Sequence, residues 1–367
     1  MDTDSPFECR WGILATGWIA TVFTKDLLLP PRARGVSDIT HTVAAAASSS
    51  SLSRAQEFLS SVNAPATAVA YDSYTALVTD PRVDVVYVAT PHSHHFANCL
   101  LALQAEKHVV CEKPFTVNAS QLEILIRVAR GKKRFLMEAV WTRFFPLARE
   151  VGRIVREGTI GEVRRVNAEL NLCQHPEVTY ADGNHRMVNP DLAGGALLDL
   201  GLYPLTWVFM TLYHTLPPFE KPTSAPAVIG TISRFEATGV DAENVVVLTF
   251  PRSIGVASSG IRVASDPQTA IRICGTKGEI QVQHPAYRPE SYTLIKDGEA
   301  TRKEFPIPGG GHGMFWEADE AARAIRDGKL ECNECPVEES LLLMKAMDKV
   351  RLDNGFRYPE AIEKTDY

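Results

Sequence analysis

An excess of charge is missing from this 367-residue sequence: 38 Lys and Arg stand against 44 Asp and Glu, a formal net charge of −6. Without a basic patch there is no electrostatic footprint for nucleic acid or for an anionic membrane surface, so neither is expected as a partner. Cysteine is scarce. The seven, at Cys9, Cys99, Cys111, Cys173, Cys274, Cys332 and Cys335, are odd in number and scattered, unlike the dense even framework of a secreted disulfide scaffold. The opening MDTDSPFECRW is acidic and polar where a secretory signal would be basic and then apolar, and the closing EKTDY matches no targeting motif. A reducing, cytoplasmic location is therefore expected. Long charge-free apolar runs are also missing: the best candidate, Gly194 to Phe219, carries Asp199 near its start and Pro204 inside it, which predicts a buried helix rather than a membrane span. No internal repeat is found, and no low-complexity tract beyond AAAASSSS at 44–51.

What is present is a chain of 45 % hydrophobic residues, long enough to bury a large core and to divide into two domains. In its first part short apolar runs alternate with amphipathic ones, the pattern of βαβ units. Strands are expected at Arg10–Leu14, Thr40–Ala47, Val83–Ala89, Lys107–Cys111 and Arg134–Met137, and helices at Trp18–Leu29, Leu52–Val62, Phe96–Ala105 and Ala119–Ala129. After one more helix, to about Glu157, strand-like runs follow one another with few helices between them, from Glu162–Cys173 to Tyr292–Ile295. Helices at about Met314–Asp327 and Val337–Asn354 close the chain. The expected fold is α/β: an N-terminal Rossmann domain with a parallel sheet (1–143), and a C-terminal α+β domain with an open, largely antiparallel sheet (144–367).

Several short stretches could carry chemistry. In WGILATGWIA a strand runs into Ala15, Thr16 and Gly17, then into a helix beginning Trp18-Ile19 with Ala20 in its first turn. This is an imperfect dinucleotide fingerprint: Gly17 would let the backbone approach a pyrophosphate, with helix N–H groups facing it. The second strand ends in no acid that could pair with a free ribose 2′-hydroxyl. It ends in Ser48, Ser49, Ser50 and Ser51, with Arg54 one turn on. Hydroxyls and a guanidinium suit a 2′-phosphate, favouring NADP over NAD, although the serines would also serve as a helix cap. ATPHSHHF places Thr90, Pro91, His92 and His95 at the carboxyl edge of the sheet, where a cofactor binds; with two histidines adjacent and no acid nearby, no metal is expected. CNEC at 332–335 is a single pair with no partner pair, and GGGHG at 309–313 lacks the lysine of a phosphate loop, reading as a mobile loop before a helix. In VVCEKPF, Glu112 and Lys113 would stand just past the end of a strand in the ligand crevice, with Pro114 restricting the backbone and able to take a cis bond.

EKP after a strand, with GILATGWIA, TPHSHH and GGALLDLGLYPL in order, resembles the Gfo/Idh/MocA oxidoreductases over essentially the whole chain. MEAVWTRFFP at 137–146, HRMVNPDLAGGALLDLGLYPLTWVF at 185–209 and GHGMFWEADE at 311–320 are similar to the dimeric dihydrodiol dehydrogenase branch, and above all to fungal NADP-dependent D-xylose 1-dehydrogenases. Ala15 stands where relatives carry glycine, and Ser50 where many carry an arginine. The resemblance implies Lys113, Asp199 and Tyr203 as the catalytic set, with Asp199 and Tyr203 one helical turn apart in LLDLGLY. It implies Tyr203 as base for a sugar hydroxyl, Lys113 as the cation that favours its phenolate, and Asp199 as a group holding lysine or sugar. Trp141, Arg143 and Phe144 would wall the sugar ring, unless the two aromatics are simply core. Oxidation of the C1 hydroxyl of an aldose, D-xylose first, to its lactone is the expected activity, with NADP as cofactor and a homodimer through the C-terminal sheet. Oxidation of a trans-dihydrodiol is the alternative, and a non-catalytic dinucleotide-binding sensor the remaining one.

Overall fold

Alanine- and valine-rich runs, too short for helices and buried on both faces, build the first sheet. In chain order the elements are β1 (Phe7–Leu14), α1 (Trp18–Leu27), β2 (Ile39–Ala47), α2 (Leu52–Ser61), β3 (Val69–Tyr71), α3 (Tyr74–Thr79), β4 (Val85–Val88), α4 (His95–Gln104), β5 (His108–Glu112), α5 (Ala119–Lys132) and β6 (Leu136–Ala139). The strands lie in the order β3-β2-β1-β4-β5-β6, every neighbouring pair parallel. The order reverses between β1 and β4, which opens a crevice at the carboxyl ends of these strands. The computed structural model describes residues 5–217, 221 and 225–366. The first four residues of MDTDSPFECRW, Phe219 at the end of the apolar run and Tyr367 of EKTDY lie outside the described residues.

The chain divides into two units. The first runs through Trp141, two residues short of the expected boundary, and also takes in Ile307–Ser340, which the sequence had assigned to the second domain. Within this returning segment GGGHG, expected to be mobile, is pinned: the buried Asp26 carboxylate accepts the backbone N–H groups of His312 (2.9 Å) and Met314 (2.8 Å). Late in the chain comes a helix (Phe315–Arg326) packed on α1, β1 and β2, its Asp319 taking both the Arg34 guanidinium (2.6 Å) and His41 Nε2 (2.9 Å).

The second unit spans Thr142–Pro306 and Leu341–Lys364. It contains α6 (Pro146–Arg156), β7 (Val163–Asn171), α7 (Pro176–Thr179), α8 (Leu202–Phe209), β8 (Ala227–Arg234), β9 (Asp241–Thr249), β10 (Ile254–Gly260), β11 (Ile271–Gly275), β12 (Gly278–Val282), β13 (Ser291–Lys296) and β14 (Glu299–Glu304). Numbering the Phe315–Arg326 helix α9, the remaining helices are α10 (Val337–Asp353), which belongs to this unit from Leu341 onward, and α11 (Glu360–Glu363). The open sheet runs β14-β13-β12-β11-β7-β10-β9-β8, antiparallel throughout except for β7 against β10. On one face lies the apolar helical run: α8 is flanked by two π-helical turns, Leu197–Gly201 and Met210–His214. The stretch Pro190–His214 is long and apolar enough to cross a membrane, but its most apolar window is 94 % buried inside the fold. Its approach to the sheet is set by Gly255 on β10, where an added Cβ would stand 2.1 Å from Cγ1 of Val208.

Gly255→Ala should therefore overpack this contact and cost about 1–3 kcal/mol of stability. Chemical denaturation checks it; an unchanged midpoint would mean the helix has slack against the sheet.

Candidate active site

The turn after β1 shows what the fingerprint does. Ala15 adopts φ 86°, a left-handed conformation that favours glycine, so an alanine here holds a backbone shape to which glycine is better suited. Its N–H is bonded to the Ala47 carbonyl at 3.1 Å, locking this turn to the end of β2. Gly17 is different. It begins α1 with φ −79°, which any residue can adopt, and an added Cβ would meet nothing of the protein within 4 Å. The space over the first turn of α1 is thus kept open toward solvent, as an approaching pyrophosphate requires. Thr16 and Ile19 flank it, half-buried, while Trp18 is 72 % exposed beside it.

The end of β2 adds a hydroxyl cluster. Ser48 is buried, with Oγ 2.9 Å from Ser50 Oγ and accepting the Ser50 N–H at 3.3 Å. Ser51 caps α2, accepting the Arg54 N–H at 3.3 Å, so the capping expectation holds for this serine. Ser49 and the Arg54 side chain are exposed, and Arg54 has no ion pair among the described residues. Ser49, Ser50 and Arg54 thus stand exposed just past the carboxyl end of β2.

At the ends of β4 and β5 the backbone is tied together from behind. His95 is fully buried, with Nδ1 2.7 Å from the Pro114 carbonyl and Nε2 2.9 Å from that of Thr90. Burial, then the neighbouring His92, pushes its pKa down to about 3, so the ring is neutral and has one N–H to give to these two carbonyls. The ring thus fills the space between the turn after β4 and Pro114, hydrogen-bonded to one of the two; His92 packs edge-on against it, 5.8 Å between ring centroids. Pro91 is exposed at the rim of this turn, and Asn98 donates to the Thr90 hydroxyl. The Lys113–Pro114 peptide is cis. Glu112 accepts the Tyr87 hydroxyl with one oxygen and the Lys113 N–H with the other (3.1 Å). Glu138 accepts the Phe115 N–H at 2.9 Å. Lys113 is thus held on both sides through its backbone, and its side chain is half-exposed.

In the second unit Asp199 and Tyr203 lie on the buried helical run. Asp199 stands in the π-helical turn rather than in an ordinary α-turn. Pro204, with no N–H to give and a ring that crowds the carbonyl four residues back, accounts for the widening. Asp199 is paired with Arg186, whose Nη1 and Nη2 stand 3.2 and 3.4 Å from Oδ1 and Oδ2. That guanidinium remains 53 % exposed, so the pair faces solvent on one side. The Tyr203 ring lies 5.7 Å from that of Tyr287, tilted by 51°. Arg143 is half-buried and lies near enough to His214 to add to the burial that depresses its pKa. Trp141 ends the first unit and Phe144 belongs to the second; both are buried, as the core alternative required.

Tyr87, Glu138, Arg186 and Tyr287 were not anticipated. Arg186 had a signal, since it lies in HRMVNP; the others sit in ordinary strand or loop sequence and are recognised only by what they touch.

Residues 9–140 match the family model for the GFO/IDH/MocA oxidoreductase family, NAD-binding Rossmann fold, and residues 148–281 match the GFO/IDH/MocA C-terminal domain. The chain is 50 % identical to the D-xylose 1-dehydrogenase (NADP(+)) of Hypocrea jecorina, covering all of this chain and 97 % of that one. It is 35 % identical to the human trans-1,2-dihydrobenzene-1,2-diol dehydrogenase, covering 96 % and 98 %. Among solved structures, a 3-ketoreductase from Actinomadura kijaniata in complex with NADP and TDP-benzene superposes with a TM-score of 0.75 at 25 % identity, covering 95 % and 97 %.

Because nothing of the protein fills the space above Gly17, Gly17→Ala should cost no more than about 1 kcal/mol of stability, the loss of a glycine cap. Dinucleotide affinity should nevertheless fall by on the order of tenfold or more. Fluorescence titration and thermal unfolding on the same sample check both halves; equal affinity would place the pyrophosphate elsewhere.

Proposed function

The chain belongs to the Gfo/Idh/MocA oxidoreductase family, and from that membership we propose that it oxidises the C1 hydroxyl of an aldose, D-xylose above others, to the lactone, with NADP as cofactor. The observation that carries this reading is the 50 % identity, along the whole chain, with a D-xylose 1-dehydrogenase that uses NADP(+). The exposed Arg54 and the Ser48–Ser51 cluster support a 2′-phosphate, and no acid stands at the end of β2 to favour a free 2′-hydroxyl.

In this reading the dinucleotide, when bound, takes the hydride that leaves C1. Tyr203 takes the hydroxyl proton. A phenol with reference pKa about 10 is a poor base at neutral pH, and a nearby ammonium favours its phenolate; that is the part assigned to Lys113. Glu112, Glu138 and His95 hold the backbone around that lysine so that its ammonium is aimed without its own side chain being buried. Asp199, paired with Arg186, orients a sugar hydroxyl or the lysine. Arg143 is assigned to the sugar hydroxyls. A trans-dihydrodiol could be oxidised by the same residues, and the likeness to the human enzyme keeps that as the second reading.

A homodimer is proposed through the outer face of β8, β9 and β10. Ile229, Val245 and Ile254 are exposed there, on strands in direct register (Ile229 opposite Val247, Val247 opposite Val256), making an apolar patch of the kind that marks an interface. A cytoplasmic location is proposed as well, supported by seven free thiols.

Steady-state assays of aldoses and trans-dihydrodiols with NADP+ and NAD+, followed by nicotinamide absorbance, should give the highest kcat/KM for D-xylose with NADP+. Tyr203→Phe should lower that turnover by roughly 10²–10⁴-fold with cofactor affinity nearly unchanged. Cofactor binding with no turnover on any substrate would replace the enzyme by a sensor, and a near-normal Tyr203→Phe would remove tyrosine as the base. Sedimentation equilibrium checks the interface: Ile229→Arg should convert a dimer to a monomer, and an unaltered mass would move the contact to another face.

A further inference from the structure

The π-helical turn that carries Asp199 begins against a buried acid on the sheet. Asp241, the first residue of β9, is fully buried; its Oδ2 accepts the Leu197 N–H at 2.6 Å and Asn244 Nδ2 at 3.3 Å. Leu197 is the first residue of the π-helical turn, two before Asp199. An N–H at a helix start has no partner within the helix, and a carboxylate is the strongest acceptor that can be placed there. The other oxygen, Oδ1, has no hydrogen-bond partner among the described residues. It faces Gly195, where an added Cβ would stand 2.2 Å away, and Gly195 itself adopts φ 128°. The space that Asp241 occupies is thus left to it by a glycine that no other residue could replace.

The surroundings extend the same grip. Asn244 Nδ2 is 2.7 Å from Ser259 Oγ on β10, and Ser259 donates in turn to the Ala196 carbonyl at 3.3 Å. The buried Tyr358 hydroxyl donates to the Gly194 carbonyl at 2.6 Å, while the Arg351 guanidinium lies 4.9 Å from its ring centroid, held by Asp348 and Glu363. Three side chains from β9, β10 and the segment after α10 therefore fix two peptide units, Gly194–Gly195 by its carbonyl and Ala196–Leu197 by both its carbonyl and its N–H, just before Asp199 and Tyr203.

We propose that Asp241 is a positioning residue of the reaction: through the Leu197 N–H it sets the start of the helical turn, and so the placement of Asp199 and Tyr203. This rests on the reading in which those two residues do the chemistry. Asp241 touches neither substrate nor cofactor in this role. The charged groups around it are Arg351 on α10, which favours its ionised form, and, through the neighbouring Tyr358, which they also influence, Glu363 and Asp199. Burial is the largest influence and raises its pKa to about 6, so the carboxylate is complete near neutral pH and is lost below it. The signs for stability and rate are opposite. Because the folded pKa is above the ordinary value of 3.8, this group stabilises the fold most below about pH 4, and that contribution is lost as pH rises through 6. The carboxylate is the stronger acceptor for the Leu197 N–H, so protonation loosens the grip and turnover falls as pH drops through 6.

Asp241→Ala and Asp241→Asn, beside Tyr203→Phe and the native chain, test this with D-xylose and NADP+ from pH 5 to 9. Asp241→Ala should lower kcat by on the order of 10- to 100-fold, as a small misplacement of reacting groups does, with the NADP+ dissociation constant within about twofold of native. Asp241→Asn keeps an acceptor for Leu197 and cannot ionise: it should recover part of that loss and flatten the acid limb near pH 6. A native kcat that declines toward pH 5 while the thermal midpoint holds or rises supports positioning. A decline that tracks loss of fold overturns it, and so does an acid limb that persists in Asp241→Asn. Should Asp241→Ala fail to fold, the Asn variant alone decides by its pH profile. An inactive Tyr203→Phe with a near-normal Asp241→Ala overturns the positioning alone, whereas a near-normal Tyr203→Phe overturns the mechanism beneath it.

Discussion

The bond between a buried carboxylate and a backbone N–H recurs wherever this protein has to hold a functional loop still. An ionised acid taken out of water costs several kcal/mol unless donors receive it, and a loop or helix start has N–H groups with no partner of their own. Each deficit answers the other. Asp26 receives the N–H groups of His312 and Met314, Glu112 that of Lys113, Glu138 that of Phe115, and Asp241 that of Leu197. All four acids are nearly or fully buried, and three of the four segments they hold carry or immediately flank Lys113 or Asp199. The backbone around Lys113 and the backbone just before Asp199 are thus each fixed from the interior of their own unit.

The regular elements were legible because their patterns are local. β2, β4 and β5 read as apolar runs between turn signals, and α2 and α5 as amphipathic periodicity after a cap, with boundaries within a few residues. β3 and β14 were missed for opposite reasons. The first is three half-buried residues, too few to show a period, and the second, EATRKE, is exposed on every residue and is a strand only because β13 pairs with it. What no local pattern can reveal is pairing at a distance: Asp26 and His312 are 286 residues apart, and without that contact GGGHG reads as loose. The same holds for Ile307–Ser340, whose helix α9 shows an apolar face but not which sheet it covers.

The site itself was legible where residue type and position coincide. Lys113 beside a proline at a strand end, Gly17 at a strand-to-helix turn, and an acid and a tyrosine inside an apolar helix are each improbable as packing alone. Their supports were not. Arg186 pairs with Asp199 from a loop, and Tyr87 reaches Glu112 from inside a strand that reads as pure core. The histidine cluster shows the converse. His95 sits in a stretch that looks chemical, yet its ring is buried between the backbone carbonyls of Thr90 and Pro114, with its one N–H given to one of them.

Glu317 marks the limit of the carboxylate rule. It is fully buried on α9 and neither of its oxygens has a hydrogen-bond partner among the described residues. Burial raises its pKa well above 4.5, and the nearby Glu112 and Asp26 raise it further, so it is held as the neutral acid. An acid kept neutral beside Glu112 and Asp26, both bonded to backbone N–H groups, adds no charge of its own to that region. Glutamine would be as neutral, but would bring two donors where a carboxylic acid brings one. What separates Glu317 from Asp26, Glu112 and Glu138 is therefore the N–H groups they meet: those three hold a loop, and Glu317, which meets none among the described residues, keeps its proton.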